Sequence, residues 1–291
     1  MPLVSMKEIL EDAKKRQYAV GCFNAVNLDM TRGVLEAASE LKAPVILCHA
    51  EVHFKYTPIE KLAPVLVNEA RLADVPVALL LDHGKSFSAV MKAMHLGFNA
   101  VMYDGSDLPY DQNVKNTREV VKIARVLGVD VEAELGHVVR PKSAGADGDE
   151  DDSVAGDESY YTQPDQALEF VSNTGVDALA VAFGTAHGVY LKKPVLDLDR
   201  LNKIRQTVDV PLVMHGGSGL DATDFRNSIA NGITKVNYYT GMAKYAAEHM
   251  KEKLNADNGI LLYHNIMMES ILAIKENVMQ AMDLFGCAGK A

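Results

Sequence analysis

Residues 79–84 read LLLDHG, an aliphatic run that breaks off at an acid and an imidazole side by side, with a glycine behind them. A carboxylate can move a proton; an imidazole can do the same or bind a metal. Two more histidines stand in comparable settings, His187 in AFGTAHGVY and His215 in VMHGGSG. Three neutral imidazoles with a fourth position open form a common catalytic zinc arrangement. An ion held that way can polarise a carbonyl and hold the charge that develops on its oxygen. The glycines directly after His187 and His215 let the backbone come close to a substrate and offer N–H groups to an anion. Phosphate suits such a loop, since GGSG (216–219) leads toward a helix expected to begin near Asp221. Of the nine histidines, His95 and His249 fall in helical segments and read as surface or packing residues.

Bringing residues so far apart to one place requires a particular scaffold. Strand-like runs are AVGCFN (19–24), PVILCH (44–49), PVALLLD (76–82), NAVMYD (99–104), VDVEAEL (129–135), DALAVAF (177–183), VPLVMHG (210–216) and ITKVN (233–237). Each is nearly all apolar, as a parallel strand buried on both faces should be. Between most of them lie segments with apolar residues three and four apart, such as MTRGVLEAASELK, which predict helices. Pro44, Pro76 and Pro211 stand at strand entrances, where a missing N–H does least harm. Eight such units predict a single (β/α)₈ TIM barrel over residues 1–291, with a doubly wound open sheet as the competing arrangement. A barrel carries its chemistry at the C-terminal ends of its strands. Those ends hold Asn24, His49 and Glu51, Asp82 and His83, Asp104, Glu134, His187, His215 and Asn237.

Bulk properties exclude several classes. The net charge of -10 argues against nonspecific nucleic-acid binding, because a polyanion would be repelled. Three scattered cysteines cannot frame a small disulfide scaffold, and their odd count fits a reducing, cytoplasmic setting. No apolar run approaches a membrane span, and no secretory signal pattern opens the chain.

The segments DHG (82–84), VMYDGS (101–106), EAELG (132–136), YTQPDQALEFV (161–171), GVDALAVAFGTAHGVY (175–190), PLVMHGGSGL (211–220) and GITKVN (232–237) resemble the class II, zinc-dependent ketose-bisphosphate aldolases of the fructose- and tagatose-bisphosphate type. The resemblance runs in order along essentially the whole chain. It implies His83, His187 and His215 as zinc ligands and Asp82 as the acid/base for the hydroxyl on the bond made or broken. It implies Asp104 and Glu134 as a second metal or monovalent-cation position. Asn24, Gly188, Gly216, Gly217, Ser218, Asn237, Tyr238, Tyr239 and Thr240 match positions that bind the ketose phosphate. A second base in the family sits on a mobile loop after strand 5. Here that loop (136–163) is long and acidic, and GDEDDSV (148–154) makes Glu150 the candidate. The implied partner is a sugar phosphate, cleaved to dihydroxyacetone phosphate and an aldehyde, and the implied assembly is a homodimer or homotetramer.

The chain departs from the family pattern at several positions. Ala50 stands where a hydroxyl residue is usual, Tyr103 where an aliphatic one is, and Leu191 where a lysine is frequent. Tyr238 and Tyr239 follow Asn237 where small or acidic residues are usual. These changes leave the sugar open, and they raise the alternative of a barrel that binds a sugar phosphate without cleaving it. A C-terminal helix over 263–285 is expected beyond the eighth strand and its helix. Its apolar residues spread past one narrow stripe, which predicts a face that meets another subunit.

Overall fold

The computed structural model describes residues 3–139, 157–188, 194–256 and 262–291. Each apolar run becomes a strand close to its expected bounds: β1 (Val20–Asn24), β2 (Val45–Ala50), β3 (Val77–Gly84), β4 (Ala100–Tyr103), β5 (Asp130–Leu135), β6 (Ala178–Val181), β7 (Leu212–Met214) and β8 (Ile233–Tyr238). Neighbours in sequence pair in parallel, and β8 returns to β1 with Gly21 opposite Val236. That last pairing closes the barrel and excludes the open sheet.

The strands are apolar because helices cover their outer faces while their own side chains fill the interior. Every residue of β1, β2, β4, β6 and β7 is buried. The covering helices are α2 (Leu28–Leu41), α3 (Ile59–Leu72), α4 (Phe87–His95), α5 (Tyr110–Leu127), α6 (Pro164–Thr174), α7 (Leu198–Thr207) and α8 (Ala222–Ala230). Their starts are set by local chemistry. Asn27, Ser86 and Asp197 each accept a first-turn N–H, and Asp221 forms a capping box with Asp224.

The opposite end of the barrel is closed by α1 (Met6–Arg16), whose Met6, Leu10 and Ala13 are fully buried. Ser5 donates to Asp130 at 2.7 Å and Lys7 pairs with Asp177 at 3.0 Å, which ties the helix to the strand-5 and strand-6 entrances. The mouth at the strand C-termini stays open to a ligand.

After β8 come α9 (Thr240–Ala256) and α10 (Tyr263–Phe285), the latter with the bounds expected of the C-terminal helix. Its seat differs from that of an appendage. It packs on α2, α8 and β1, so it fills the interval in the helical ring between α8 and α2, with Ile271, Ile274, Val278, Met282 and Phe285 buried. The outlying helix is α9, which buries only Met242 and Ala246 and leans on α10. Among the described residues, no helix is long and apolar enough to cross a membrane.

Candidate active site

An ordinary strand sends successive side chains to opposite faces, so Asp82 and His83 should not both face one pocket. The strand breaks its own pattern here. His83 adopts a left-handed backbone, φ 44°, and the β3–β4 register shifts between Leu81 and Gly84. A non-glycine residue in that region is strained, and a bulge of this kind re-aims side chains at functional sites. Both residues line the mouth cavity as a result. Gly84 completes the turn, since a Cβ there would stand 2.7 Å from the Met102 carbonyl oxygen on β4.

The three histidines converge. One ring nitrogen from each of His83, His187 and His215 lies within 4.8 Å of the others. Their tautomers follow from their outer partners. The His83 Nδ1–H donates to Asp104 Oδ2 at 2.8 Å, and Asp104 Oδ1 accepts from the Ser106 hydroxyl at 2.6 Å. The His215 Nε2–H donates to Glu132 Oε1 at 3.0 Å, and His187 Nδ1–H donates to the Val138 carbonyl at 3.2 Å. His83 Nε2 and His215 Nδ1 are therefore both lone-pair atoms, and they face each other at 2.8 Å. Two lone pairs so close repel unless a cation stands beside them, so the donor set fits a divalent metal held by imidazoles.

Asp104 and Glu134 sit on the same side of this cluster. With His83 they form a second group whose ligand atoms lie within 4.8 Å of one another. Glu134 Oε1 accepts the Val138 N–H at 3.3 Å, and its Oε2 stands 3.7 Å from His215 Nδ1. The two groups share His83, so Asp104 can orient that ring or serve a cation with it.

Asp82 is buried and accepts the Asn237 amide N–H at 2.8 Å. Burial pushes its carboxyl up, but the facing His83 and His215 rings when protonated, the Lys235 ammonium and the Asn237 amide N–H outweigh that and hold it below the usual carboxylate range. Lys235, fully buried on β8, donates to Asn237 Oδ1 at 2.6 Å and pairs with Glu132 Oε2 at 2.9 Å. Burial pulls its pKa down, but the Cys22 thiol and the Glu132 and Asp82 carboxylates outweigh that and hold it above an ordinary lysine. It is a fixed ammonium and not an amine nucleophile. The Glu132–Lys235 pair was not anticipated from the sequence. The available signal was spacing, since Glu132 and Lys235 lie two residues before Glu134 and Asn237 and so share their inward faces.

Around these groups lies a cavity of about 430 Å³. Its lining includes Asn24, Gly188, Gly216, Gly217, Ser218, Asn237, Tyr238, Tyr239 and Thr240, all of the expected phosphate-side residues. Asn24 is buried with its Oδ1 unmatched by any hydrogen bond. Gly216 (φ 69°) is required where β7's loop passes the β6 loop, because a Cβ would collide with the Ala186 carbonyl. Ser218 Oγ accepts the Gly241 N–H at 3.1 Å, joining the GGSG turn to the start of α9. Ala50, Glu51, His53 and Lys85 also line the cavity.

Some expectations about individual residues change. Tyr103 does not surround the pocket. It is buried in the outer layer against Phe87, and its hydroxyl accepts the Asn116 amide N–H at 2.8 Å, because its strand position points outward. Tyr238 contributes to the lining but turns its ring outward onto Phe23 and Phe285, whereas the Tyr239 ring lies tilted against His53 with centroids 4.5 Å apart. His49 is a packing residue whose two ring nitrogens meet the Ala25 and Thr57 carbonyls at 2.9 and 3.0 Å. Glu51 serves the next strand's turn by accepting the Lys85 and Ser86 N–H groups. The three cysteines are free and buried. Glu150, Leu191 and most of the acidic loop lie outside the described residues.

Comparison with known proteins agrees with this geometry. The family model described as class-II fructose-bisphosphate aldolase matches residues 4–290. A probable fructose-bisphosphate aldolase of Bacillus subtilis is 39% identical over 295 residues, covering 100% of both chains. The fructose-bisphosphate aldolase of Staphylococcus aureus is 38% identical over the same length. The crystal structure of the YdjI aldolase from Escherichia coli K12 matches with a TM-score of 0.86 at 34% identity, covering 99% of each chain. The chain is an aldolase, a carbon–carbon lyase, and belongs to the class II fructose-bisphosphate aldolase family.

Proposed function

We propose that the protein is a zinc-dependent aldolase that reversibly cleaves a ketose phosphate to dihydroxyacetone phosphate and an aldehyde. The observation that carries this reading is the pair of imidazole lone pairs 2.8 Å apart beside a buried carboxylate, in a cavity of sugar-phosphate size. His83, His187 and His215 would hold the ion. When bound, zinc supplies positive charge against the negative charge that develops on the substrate carbonyl oxygen.

This chain's own groups do the rest. Asp82, ionised at neutral pH, takes the proton from the hydroxyl on the carbon that leaves as aldehyde, and returns it in the condensation direction. Asn237 keeps that carboxylate turned into the cavity. The backbone N–H groups of 188, 216–218 and 239–240, with Asn24 and Ser218, bind the phosphate end. Proton exchange at the ketose α-carbon is assigned to Glu150. Asp104 and Glu134 provide the position for a second metal or a monovalent cation. The acceptor end meets Ala50, His53 and Tyr239, a wall that supports a sugar phosphate of the fructose- or tagatose-bisphosphate kind or a relative differing at that end.

The test is a retro-aldol assay over a panel of ketose mono- and bisphosphates, including both fructose and tagatose 1,6-bisphosphate. At least one should be cleaved, with activity lost on chelation and restored by zinc. Cleavage that survives complete metal removal would overturn the zinc assignment. Failure on every ketose phosphate would overturn the reaction.

A further inference from the structure

Glu132 and Lys235 are both fully buried beneath the site, on strands that lie on opposite sides of β6 and β7. Removing two charges from water costs several kcal/mol per ion, and an apolar pair would often be as stable. Stability is therefore a weak reason for the pair to be there. Its contacts suggest another. Lys235 Nζ approaches both Glu132 oxygens, at 2.9 and 3.1 Å, and Oε1 also receives the His215 ring N–H at 3.0 Å. A carboxylate engaged this way can only accept, so the ring proton must sit on Nε2 of His215. A second hydrogen bond from Lys235, to Asn237 Oδ1, fixes which way that amide points and leaves its N–H₂ for Asp82.

We infer that Glu132 and Lys235 are positioning residues: together they lock His215 in the tautomer that presents Nδ1 to the metal, and Lys235 through Asn237 orients Asp82 from the same anchor. This rests on the metal-dependent reading above. It assigns work to two residues that touch neither metal nor substrate. Lys235 serves both halves of the chemistry, the ligand set through Glu132 and the proton-moving carboxylate through Asn237.

The inference makes an unusual demand on an isosteric change. In Glu132→Gln the amide N–H₂ faces the Lys235 ammonium at either carboxylate position, 2.9 or 3.1 Å away, so two donors oppose each other and the amide's hold on the His215 Nε2–H loosens. Zinc affinity should fall about 10- to 100-fold, the usual cost of losing such an outer partner. Adding Lys235→Met frees the amide oxygen to accept from His215, so the double variant should bind zinc more tightly than Glu132→Gln alone. Lys235→Met by itself should lower kcat with little change in KM, through the loosened Asn237 and Asp82.

The experiment is zinc titration against a competing chromophoric chelator for the full chain and the three variants. Far-UV circular dichroism checks folding, and ¹⁵N-histidine NMR of the zinc-free proteins reports the tautomer. Glu132→Gln binding zinc as tightly as the unchanged protein, or the double variant binding no tighter than Glu132→Gln, would overturn the inference. Should Glu132→Gln fail to fold, the double variant decides by its NMR. It should keep the Nε2–H signal; its loss there, or an unchanged kcat in Lys235→Met, would overturn the inference. Zinc bound by the unchanged protein without cleavage of any ketose phosphate would instead sink the proposed reaction and leave the tautomer result standing.

Discussion

At the scale of residues, the proposed mechanism separates metal binding from proton transfer, and adjacent positions test the separation. His83→Ala removes a ring that faces both other histidines, so metal content and turnover should vanish together. Asp82→Asn keeps the shape and the Asn237 contact but cannot move a proton, so metal should stay while kcat drops by about 10²- to 10⁴-fold. Metal analysis of the two purified variants beside their rates checks this; equal loss of metal in both would contradict it. A second residue-scale prediction concerns Asp107 at the mouth. Its carboxyl is held well below the usual range, chiefly by the His137 ring N–H and also by the Lys85 ammonium, against partial burial. A depressed folded-state value means the contribution is complete above about pH 4 and is lost as pH falls through the folded value. The stability gap between the protein and Asp107→Asn, read from urea midpoints, should therefore be widest near neutrality and shrink below about pH 4. A gap that grows with acidity would have the wrong sign. The convergence of the three histidines was readable in advance because they end apolar runs or sit among glycines. Glu132 and Lys235 were not, because one sequence cannot show that inward positions 103 apart will meet.

At the scale of elements, strand identity was readable because burial on both faces writes continuous apolar runs. The seat of α10 was not, because helical periodicity gives a face but not a neighbour. Its place between α8 and α2 depends on a contact with Gly33, where a Cβ would stand 2.6 Å from Ile274 Cγ2. Gly33 is thus a notch in α2 that lets α10 close the ring. Gly33→Val should overfill it and cost about 1–3 kcal/mol, with a lower urea midpoint. An unchanged midpoint would show that the two helices do not need their close approach. The left-handed turn at His83 was likewise hidden, since only the pairing of β3 with β4 reveals the bulge that turns both Asp82 and His83 inward.

At the scale of the whole molecule, barrel closure was readable from the count of units, and what surrounds the barrel was not. The helices beyond β8 leave Leu254, Leu262, Tyr263, Met268 and Leu272 between 45% and 76% exposed. We propose that this surface joins two copies across a two-fold axis, the simplest closed assembly. Light scattering should give about twice the 31.7 kDa chain mass, and Leu272→Glu with Tyr263→Glu should lower it to one chain. A single-chain mass for the unchanged protein would sink the dimer. The central claim, that the three converging histidines hold the ion on which cleavage depends, has a more direct test. Metal-free protein is titrated with zinc while cleavage of an accepted ketose phosphate is followed. Activity should rise linearly and stop at one zinc per chain, and His215→Ala should stay inactive at every point. Full activity before any zinc is added, or a rise in His215→Ala like that of the unchanged protein, would contradict it.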